Sequence, residues 1–232
     1  MILHIPHAST DIGDVSYNIS GDDLKKELFE STDWFTDELF IHSKSFPIIF
    51  NKSRLYIDVE RFNDERETME HIGRGIKYTR TFHGEVLKKN TNYSIEAYLE
   101  HHKKLKYAVN QMLHVKKKVY IVDCHSFNNE IATDSPDVCL GYNDENCDLV
   151  TLDKIAKIFQ NHGYSVKKNY PYSGSIIPDE YLNNPQVFTM MIEINKKIYM
   201  HNSEFTPVKS EGFMKIQKVI FEALEFLHQQ EV

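Results

Sequence analysis

The spacing of apolar residues along the chain predicts strands that alternate with helices. Apolar runs predict strands over residues 1–6, 47–51, 55–59, 118–124, 136–141, 164–168 and 187–194. Apolar positions three and four residues apart predict helices over residues 95–115, 149–159 and 211–228, and we also expect helices over 22–29 and 33–43. Strands alternating with helices are typical of an α/β fold, in which helices cover both faces of the sheet.

Two further features of this pattern concern helix 95–115 and the segment that precedes it. The apolar stripe of the helix, which includes Tyr98, Leu99 and Leu105, predicts that His102 faces inward and that His101 does not. Residues 60–92 are charged, contain three glycines and show no clear period. Long excursions of this kind in a compact domain are often functional.

Nothing repeats, and no Pro/Gly/Ser-rich linker divides the chain, so we expect one domain over residues 1–232.

Composition narrows the possible partners and location. The 34 acidic residues outnumber the 27 basic ones, for a net charge of −7, which argues against nucleic acid as a partner. Three cysteines, an odd number without a pairable motif, suit a reducing compartment. The first residues lack the pattern of a signal peptide, and no run of about 18 apolar residues could span a membrane. We therefore expect a cytoplasmic protein, and the sequence leaves its oligomeric state open.

Candidate metal ligands lie where predicted strands end. His7 follows the first strand, His125 ends a central one, and Asp11 is four residues beyond His7. Ligands of α/β folds bind beyond the carboxyl ends of strands, and two imidazoles with one carboxylate can hold a catalytic zinc. Because the chain has 12 histidines, chance pairs are common, and a histidine after a strand is more often a surface or hydrogen-bonded residue.

Other candidate site residues are a glutamate, two arginines and a turn. Glu193 interrupts an apolar strand, where a carboxylate must be paired, protonated or functional, unless alternate positions of that strand face solvent. Arg54 and Arg61 flank strand 55–59 and could grip a carboxylate, although surface salt bridges explain single arginines as well. The segment 169–175 has the chemistry of a turn and could line a site with an amide, a phenol and backbone donors.

Nine short segments, in order along the chain, carry a further resemblance: 4–9 (HIPHAS), 36–40 (TDELF), 53–54 (SR), 58–62 (DVERF), 100–102 (EHH), 123–127 (DCHSF), 169–174 (NYPYSG), 191–195 (MIEIN) and 198–200 (IYM). Taken together, they resemble the N-formylglutamate amidohydrolase family. Each segment alone is weak evidence, whereas the ordered set covers most of the chain. The chain departs from the family pattern at Glu60, where many members carry Asn, and at Lys196, where members often carry Arg.

The resemblance implies a fold, a cofactor and roles. It implies a three-layer αβα fold like that of the zinc carboxypeptidases, with a mixed central sheet of about eight strands and one Zn²⁺ at its carboxyl edge. His7, Asp11 and His125 would be the zinc ligands, Arg54 would polarise the scissile carbonyl, and Glu193 would be general base and acid. The substrate would be a small anionic N-acyl amino acid, with N-formyl-L-glutamate as the first candidate. The residues implied to bind it are Arg61, Asn169, Tyr172, Ser173, Gly174 and His102.

Two other functions stay open at this stage. A zinc peptidase or deacylase could act on another N-acyl amino acid or a small peptide. A non-catalytic binding protein on the same fold would have lost ligands or base, whereas His7, His125 and Glu193 are all present in this chain.

Overall fold

The computed structural model of the protein describes residues 1–231, and at its centre is a mixed sheet of six strands. In chain order these strands are β1 (Ile2–Ile5), β2 (Phe46–Ile49), β3 (Val119–Phe127), β4 (Val138–Gly141), β5 (Val166–Lys168) and β6 (Val187–Asn195). Their order across the sheet is β2-β1-β3-β6-β4-β5. The first four in this order run parallel, whereas β4 is antiparallel to β6 and parallel to β5. Two more strands, β7 (Met200–Ser203) and β8 (Thr206–Lys209), form a separate hairpin.

Helices cover both faces of the sheet and give three layers. They are α1 (Gly21–Ser31), α2 (Thr36–Leu39), α3 (Glu96–Leu113), α4 (Leu149–Asn161) and α5 (Gly212–Gln229). Side chains of α4 and α5 share a core cluster with one face of the sheet, and those of α3 share a cluster with the other face. Strand β3 is buried along its whole length, which explains its nearly continuous apolar sequence.

Capping side chains fix where two of the helices begin, and a glycine fixes where one of them ends. The Ser20 and Asp148 side chains accept hydrogen bonds from backbone N–H groups in the first turns of α1 and α4. Beyond α4, Gly163 adopts a φ of 86°, and its N–H donates to the carbonyl of Gln160. Glycine reaches this left-handed conformation without a steric penalty, so the chain can leave the helix toward β5.

Some of the predicted elements are wrong. The central sheet has six strands rather than about eight. Residues 55–59 form turns rather than a strand, with the N–H groups of Tyr56 and Ile57 both donating to the Ser53 carbonyl. Its apolar residues are buried for another reason, because Leu55 packs in one small core cluster while Ile57 and Val59 pack in another. The helix predicted over 33–43 shrinks to α2, which starts after the left-handed residue Phe35 (φ 63°).

The inward face of α3 also differs from the prediction. His101 is buried and contacts His4, whereas His102 is only partly buried and Leu99 is exposed. The buried positions of the helix include Tyr98, His101 and Leu105, at spacings of three and four residues. The prediction was therefore correct at Tyr98 and Leu105 and wrong at one edge of the stripe, where His101 rather than His102 faces inward.

The hydropathy of the helices bears on membrane association. Within residues 1–231, no helix combines the length and the apolar content needed to cross a membrane.

Candidate metal centre and hydrolytic site

The sheet brings three of the predicted site residues to its carboxyl edge. In the parallel pair of β3 and β6, His125 lies directly opposite Glu193. His7 follows β1, the strand that pairs with β3 on its other side, and its ring centroid lies 5.2 Å from that of His125. Because parallel strands end at the same edge of a sheet, residues far apart in sequence meet there.

Buried carboxylates hold one nitrogen of each imidazole. His7 Nε2 lies 2.8 Å from Asp58 Oδ1, and His125 Nδ1 lies 2.9 Å from Asp33 Oδ2. His7 Nδ1 is buried without a hydrogen-bond partner, at 3.5 Å from the same Asp33 oxygen. A carboxylate that fixes the tautomer and ring orientation of a histidine, as Asp58 does for His7, is typical of metal sites. A buried imidazole nitrogen without a hydrogen-bond partner fits a histidine that binds a metal ion.

Two acidic side chains could complete a metal site with these histidines. One oxygen of Asp33 approaches Nδ1 of both His7 and His125. On the other side, Glu60 forms a group with His7 and His125 in which the ligand atoms lie within 4.8 Å of one another. Glu60 Oε2 is 3.0 Å from His125 Nε2, and its Oε1 has no hydrogen bond. Imidazoles together with one carboxylate fit the donor preferences of zinc.

Asp11 does not join this group, and its prediction as a metal ligand needs correction. Its side chain is exposed, and its carboxylate accepts hydrogen bonds from Lys52 Nζ (2.6 Å) and from the Gly13 N–H (2.9 Å). The bond from Lys52 lowers the pKa of Asp11. Its spacing from His7 therefore reflects a loop that turns back on itself at the surface.

Asp58 is a fully buried carboxylate, and most of the cationic groups near His7 contact it. Its Oδ2 accepts from Arg54 Nη2 (3.0 Å) and from the Tyr78 hydroxyl (2.6 Å), and it lies 3.4 Å from Arg61 Nε. Burial opposes ionisation of Asp58, but Arg54, His7 and Arg61 together hold its pKa well below the usual range. The two arginines predicted to act on substrate thus share one internal counterion.

Glu193 is buried beside this cluster, with only 7% of its surface exposed. Its Oε2 has no hydrogen-bond partner within residues 1–231. Burial raises the pKa of Glu193 to about 8, with His125 and Asp33 as the charged groups that influence it most. A carboxyl group in this state is suited to exchanging a proton near neutral pH.

A second buried network lies behind His125. His4 is fully buried, with Nδ1 2.8 Å from Asp123 Oδ1 and Nε2 2.7 Å from His101 Nε2. Burial alone would lower the pKa of His4, but the carboxylates of Asp123 and Glu60 outweigh it and raise the pKa to about 9. His4, Glu60 and Asp123 also form a group with metal-binding spacing. The cationic form of His4 compensates Glu60 in this network.

The other residues predicted to bind substrate differ in their exposure and in their hydrogen bonds. Tyr172 is exposed (38%), although Glu193 and Arg54 are among the charges that influence its hydroxyl. The Asn169 side chain bonds within its own loop, since its Oδ1 accepts from the Tyr142 N–H at 2.9 Å. Ser173 is exposed, and Gly174 forms a left-handed turn (φ 85°). His102 Nε2 donates to the Val59 carbonyl at 2.8 Å, an internal bond that does not require substrate.

The sequence reasoning missed several residues of this cluster. Asp33 lies between α1 and α2, and Asp58 follows the buried residue Ile57. Lys196 directly follows β6 and is 6% exposed, and burial lowers its pKa to about 8. For Asp58 and Lys196 the available signal was the same as for Glu193, namely a charged residue within or directly after an apolar run.

We expect the substitution Asp58→Asn to destabilise the protein by about 3–5 kcal/mol, because it removes a fully buried carboxylate from two partly buried arginines that share it. Chemical denaturation of the variant measures this loss. Asp64→Asn is the matched control, since Asp64 also pairs with an arginine, Arg66, but at an exposed position. Equal losses for the two variants would contradict a central role for Asp58.

The chain is similar to proteins of known family and structure. The family model described as N-formylglutamate amidohydrolase matches residues 1–200. The structure is similar to the crystal structure of N-formylglutamate amidohydrolase from Ralstonia eutropha JMP134, with a TM-score of 0.86 and 19% identity over 99% of this chain and 93% of that one. It is also similar to the gene product Atu2144 from Agrobacterium tumefaciens, with a TM-score of 0.65 and 15% identity over 98% and 91% of the two chains. No curated protein matches the chain by sequence.

At these identities the two structures show the fold, and the family model shows the family. Its match begins at the first residue and covers most of the chain, including the segments that hold His7, Asp58, His125 and Glu193. The chain belongs to the N-formylglutamate amidohydrolase family.

Proposed function

We propose that the protein hydrolyses the amide bond of N-formyl-L-glutamate, giving formate and L-glutamate, with one zinc ion in a zinc-carboxypeptidase-like site. The observation that carries this proposal is the meeting of His7 and His125 with a buried carboxylate, beside a glutamate that has no hydrogen-bond partner on one of its oxygens. Family membership supports the choice of substrate. We further propose that one domain, residues 1–232, performs the reaction.

Asp33 is our choice for the acidic ligand, with His7 and His125 as the other two. Its oxygen approaches Nδ1 of both histidines. The Nε2 atoms then face other carboxylates, Asp58 for His7 and Glu60 with Asp123 for His125. Asp33 is also among the charges that influence Glu193, Arg54 and Lys196, so it lies on the side of the groups that would do the chemistry. Glu60 instead lies toward the buried His4.

A zinc ion, when bound, supplies Lewis acidity that polarises a carbonyl oxygen and makes water more acidic. Glu193 takes the proton of the attacking water as the formyl carbon becomes tetrahedral, and it then delivers a proton to the departing nitrogen of glutamate. Its burial supports this role, because a desolvated carboxylate accepts a proton more readily than an exposed one.

Arg54 stabilises the oxygen of the scissile carbonyl in this proposal. Its Nε and Nη2 are held by Asp58 at 3.2 and 3.0 Å, and no hydrogen bond of Nη1 occurs in the described part of the chain. The pair with Asp58 fixes the guanidinium plane in advance, so little reorganisation is needed when negative charge develops on the substrate. Arg61, whose side chain is 23% exposed, is positioned similarly and would contact a substrate carboxylate.

We expect Asp33→Asn to lose zinc, because the amide is a poorer ligand than the carboxylate. Metal analysis of the purified protein should fall from about one zinc per chain to near zero. Glu60→Gln and Asp11→Asn should keep most of the metal, and circular dichroism would check that each variant is folded. Loss of zinc from Glu60→Gln with retention by Asp33→Asn would reverse our choice of ligand.

We expect Glu193→Gln to keep zinc and to lower kcat for N-formyl-L-glutamate by about 10²- to 10⁴-fold, because the amide cannot carry the proton. Formate release and metal content measure the two effects. Glu180→Gln is the control, since Glu180 is an exposed partner of Lys106. Near-normal turnover by Glu193→Gln would remove this residue as the base.

A panel of other N-acyl amino acids and small peptides, read by amine release, would reveal a different substrate.

A further inference from the structure

We propose that Lys196 binds one of the two carboxylates of the substrate and thereby sets the preference of the enzyme for an acidic amino acid. This inference rests on the proposed hydrolysis of an N-formyl dicarboxylic amino acid, and it names a specificity residue for that site. Arg61 is the residue predicted to bind a substrate carboxylate, and Lys196 would bind the other one.

The position of Lys196 places it at the hydrolytic site. It directly follows β6 and comes three residues after Glu193, at the edge of the sheet where His7 and His125 meet. Although a lysine is usually exposed, only 6% of its surface is accessible. The charged groups that influence it most are Asp33, Arg54, Glu193 and Glu30. Three of these four belong to the site itself.

Lys196 differs from the other buried lysine of the protein, Lys88. Lys88 is 2% exposed, and its ammonium group donates to the carbonyls of Leu55 (2.6 Å) and Tyr56 (3.1 Å) and to the Tyr93 hydroxyl (2.7 Å). For Lys196, no hydrogen bond or ion pair of the ammonium group occurs within residues 1–231. Lys196 is thus a largely buried lysine whose ammonium group has no partner in the described part of the protein, and the contrast with Lys88 indicates that its partner arrives from outside the chain.

Two acidic neighbours of Lys196 pair with histidines, and the third, Glu193, forms no ion pair with it within residues 1–231. Asp33 holds His125 at 2.9 Å, and Glu30 lies 3.3 Å from His83 Nε2. The other cations near the site are compensated as well, because Arg54 and Arg61 share the carboxylate of Asp58. Lys196 is therefore the cation of this region, within the described residues, that lacks a carboxylate of its own.

The chemistry of the substrate fits this arrangement. N-formyl-L-glutamate carries two carboxylates, whereas the chain has a net charge of −7 and must attract such an anion by local positive groups. The terminal nitrogens of Arg61 offer one contact, and the ammonium group of Lys196 offers a second. A lysine suits this task because its ammonium group is a compact charge that binds a carboxylate without a fixed planar geometry.

The experiment compares three substrates in the zinc-loaded protein: N-formyl-L-glutamate, N-formyl-L-glutamine and N-formyl-L-isoglutamine. The two amides each replace one carboxylate by a neutral group of nearly the same shape. We expect Lys196→Gln to lower kcat/KM for N-formyl-L-glutamate by roughly 30- to 1,000-fold. We expect a much smaller loss for the amide that lacks the carboxylate bound by Lys196, and Lys196→Arg should restore part of the preference.

Lys197→Gln is the matched control, because the adjacent lysine is exposed and pairs with Asp137 at 3.4 Å. It should behave like the wild type with all three substrates. If Lys196→Gln lowers kcat/KM equally for the acid and for both amides, Lys196 has a structural role only and the inference is wrong. A selective loss for either carboxylate supports it and identifies the group that is bound.

A binding measurement separates this inference from the proposed function. If the wild type does not hydrolyse N-formyl-L-glutamate, the proposed function fails, and titration calorimetry with glutarate still tests Lys196. Binding by the wild type and by Lys197→Gln that weakens at least about tenfold in Lys196→Gln supports the dicarboxylate site. Equal binding by all three proteins, or no binding by the wild type, would overturn it.

Discussion

The hydrogen bond between His7 and the buried carboxylate of Asp58 is the interaction on which the rest of the site depends. It fixes the imidazole so that Nδ1 points toward Asp33. The same carboxylate holds Arg54, Arg61 and the hydroxyl of Tyr78, which arrive from a folded-back segment rather than from the sheet. A charge buried this deeply requires several partners, and that requirement connects the loop to the edge of the sheet.

The second constraint is the register of two parallel strands. Because β3 and β6 pair from Val119 with Val187 to Phe127 with Asn195, His125 and Glu193 must lie side by side. Both strands are buried, so neither side chain can turn to bulk water. His125 finds carboxylates around it, whereas Glu193 keeps an oxygen without a partner. The difference between these environments separates a candidate ligand from a candidate base.

The sequence predicted the parts of the molecule that follow from local pattern. The long helices, most of the strands and the convergence of His7, His125 and Glu193 at one edge are all present in the structure. The strand predicted over 55–59 was wrong because apolar residues are also buried where a loop packs against two separate clusters. His101 was assigned to the wrong side of α3 because the apolar but exposed Leu99 moved one edge of the predicted stripe away from it.

The spacing of residues in the sequence could not predict the proposed acidic metal ligand or the counterions of the site. Asp11 is near His7 in sequence, yet its loop carries it to Lys52 at the surface, whereas Asp33 returns to the site after α1. The shared role of Asp58 and the isolation of Lys196 depend on how side chains from distant segments pack together. Such contacts are set by tertiary structure and leave no periodic signal in the chain.

The central claim is that one metal ion binds at the edge of the sheet between the two histidines, in front of Glu193. A crystal structure of the zinc-loaded protein, with anomalous scattering recorded above and below the zinc absorption edge, tests it most directly. We expect a single zinc peak in contact with His7, Asp33 and His125, facing the carboxyl group of Glu193. A peak among His4, Glu60 and Asp123 instead, or no peak beside His7 in crystals that contain zinc, would contradict it.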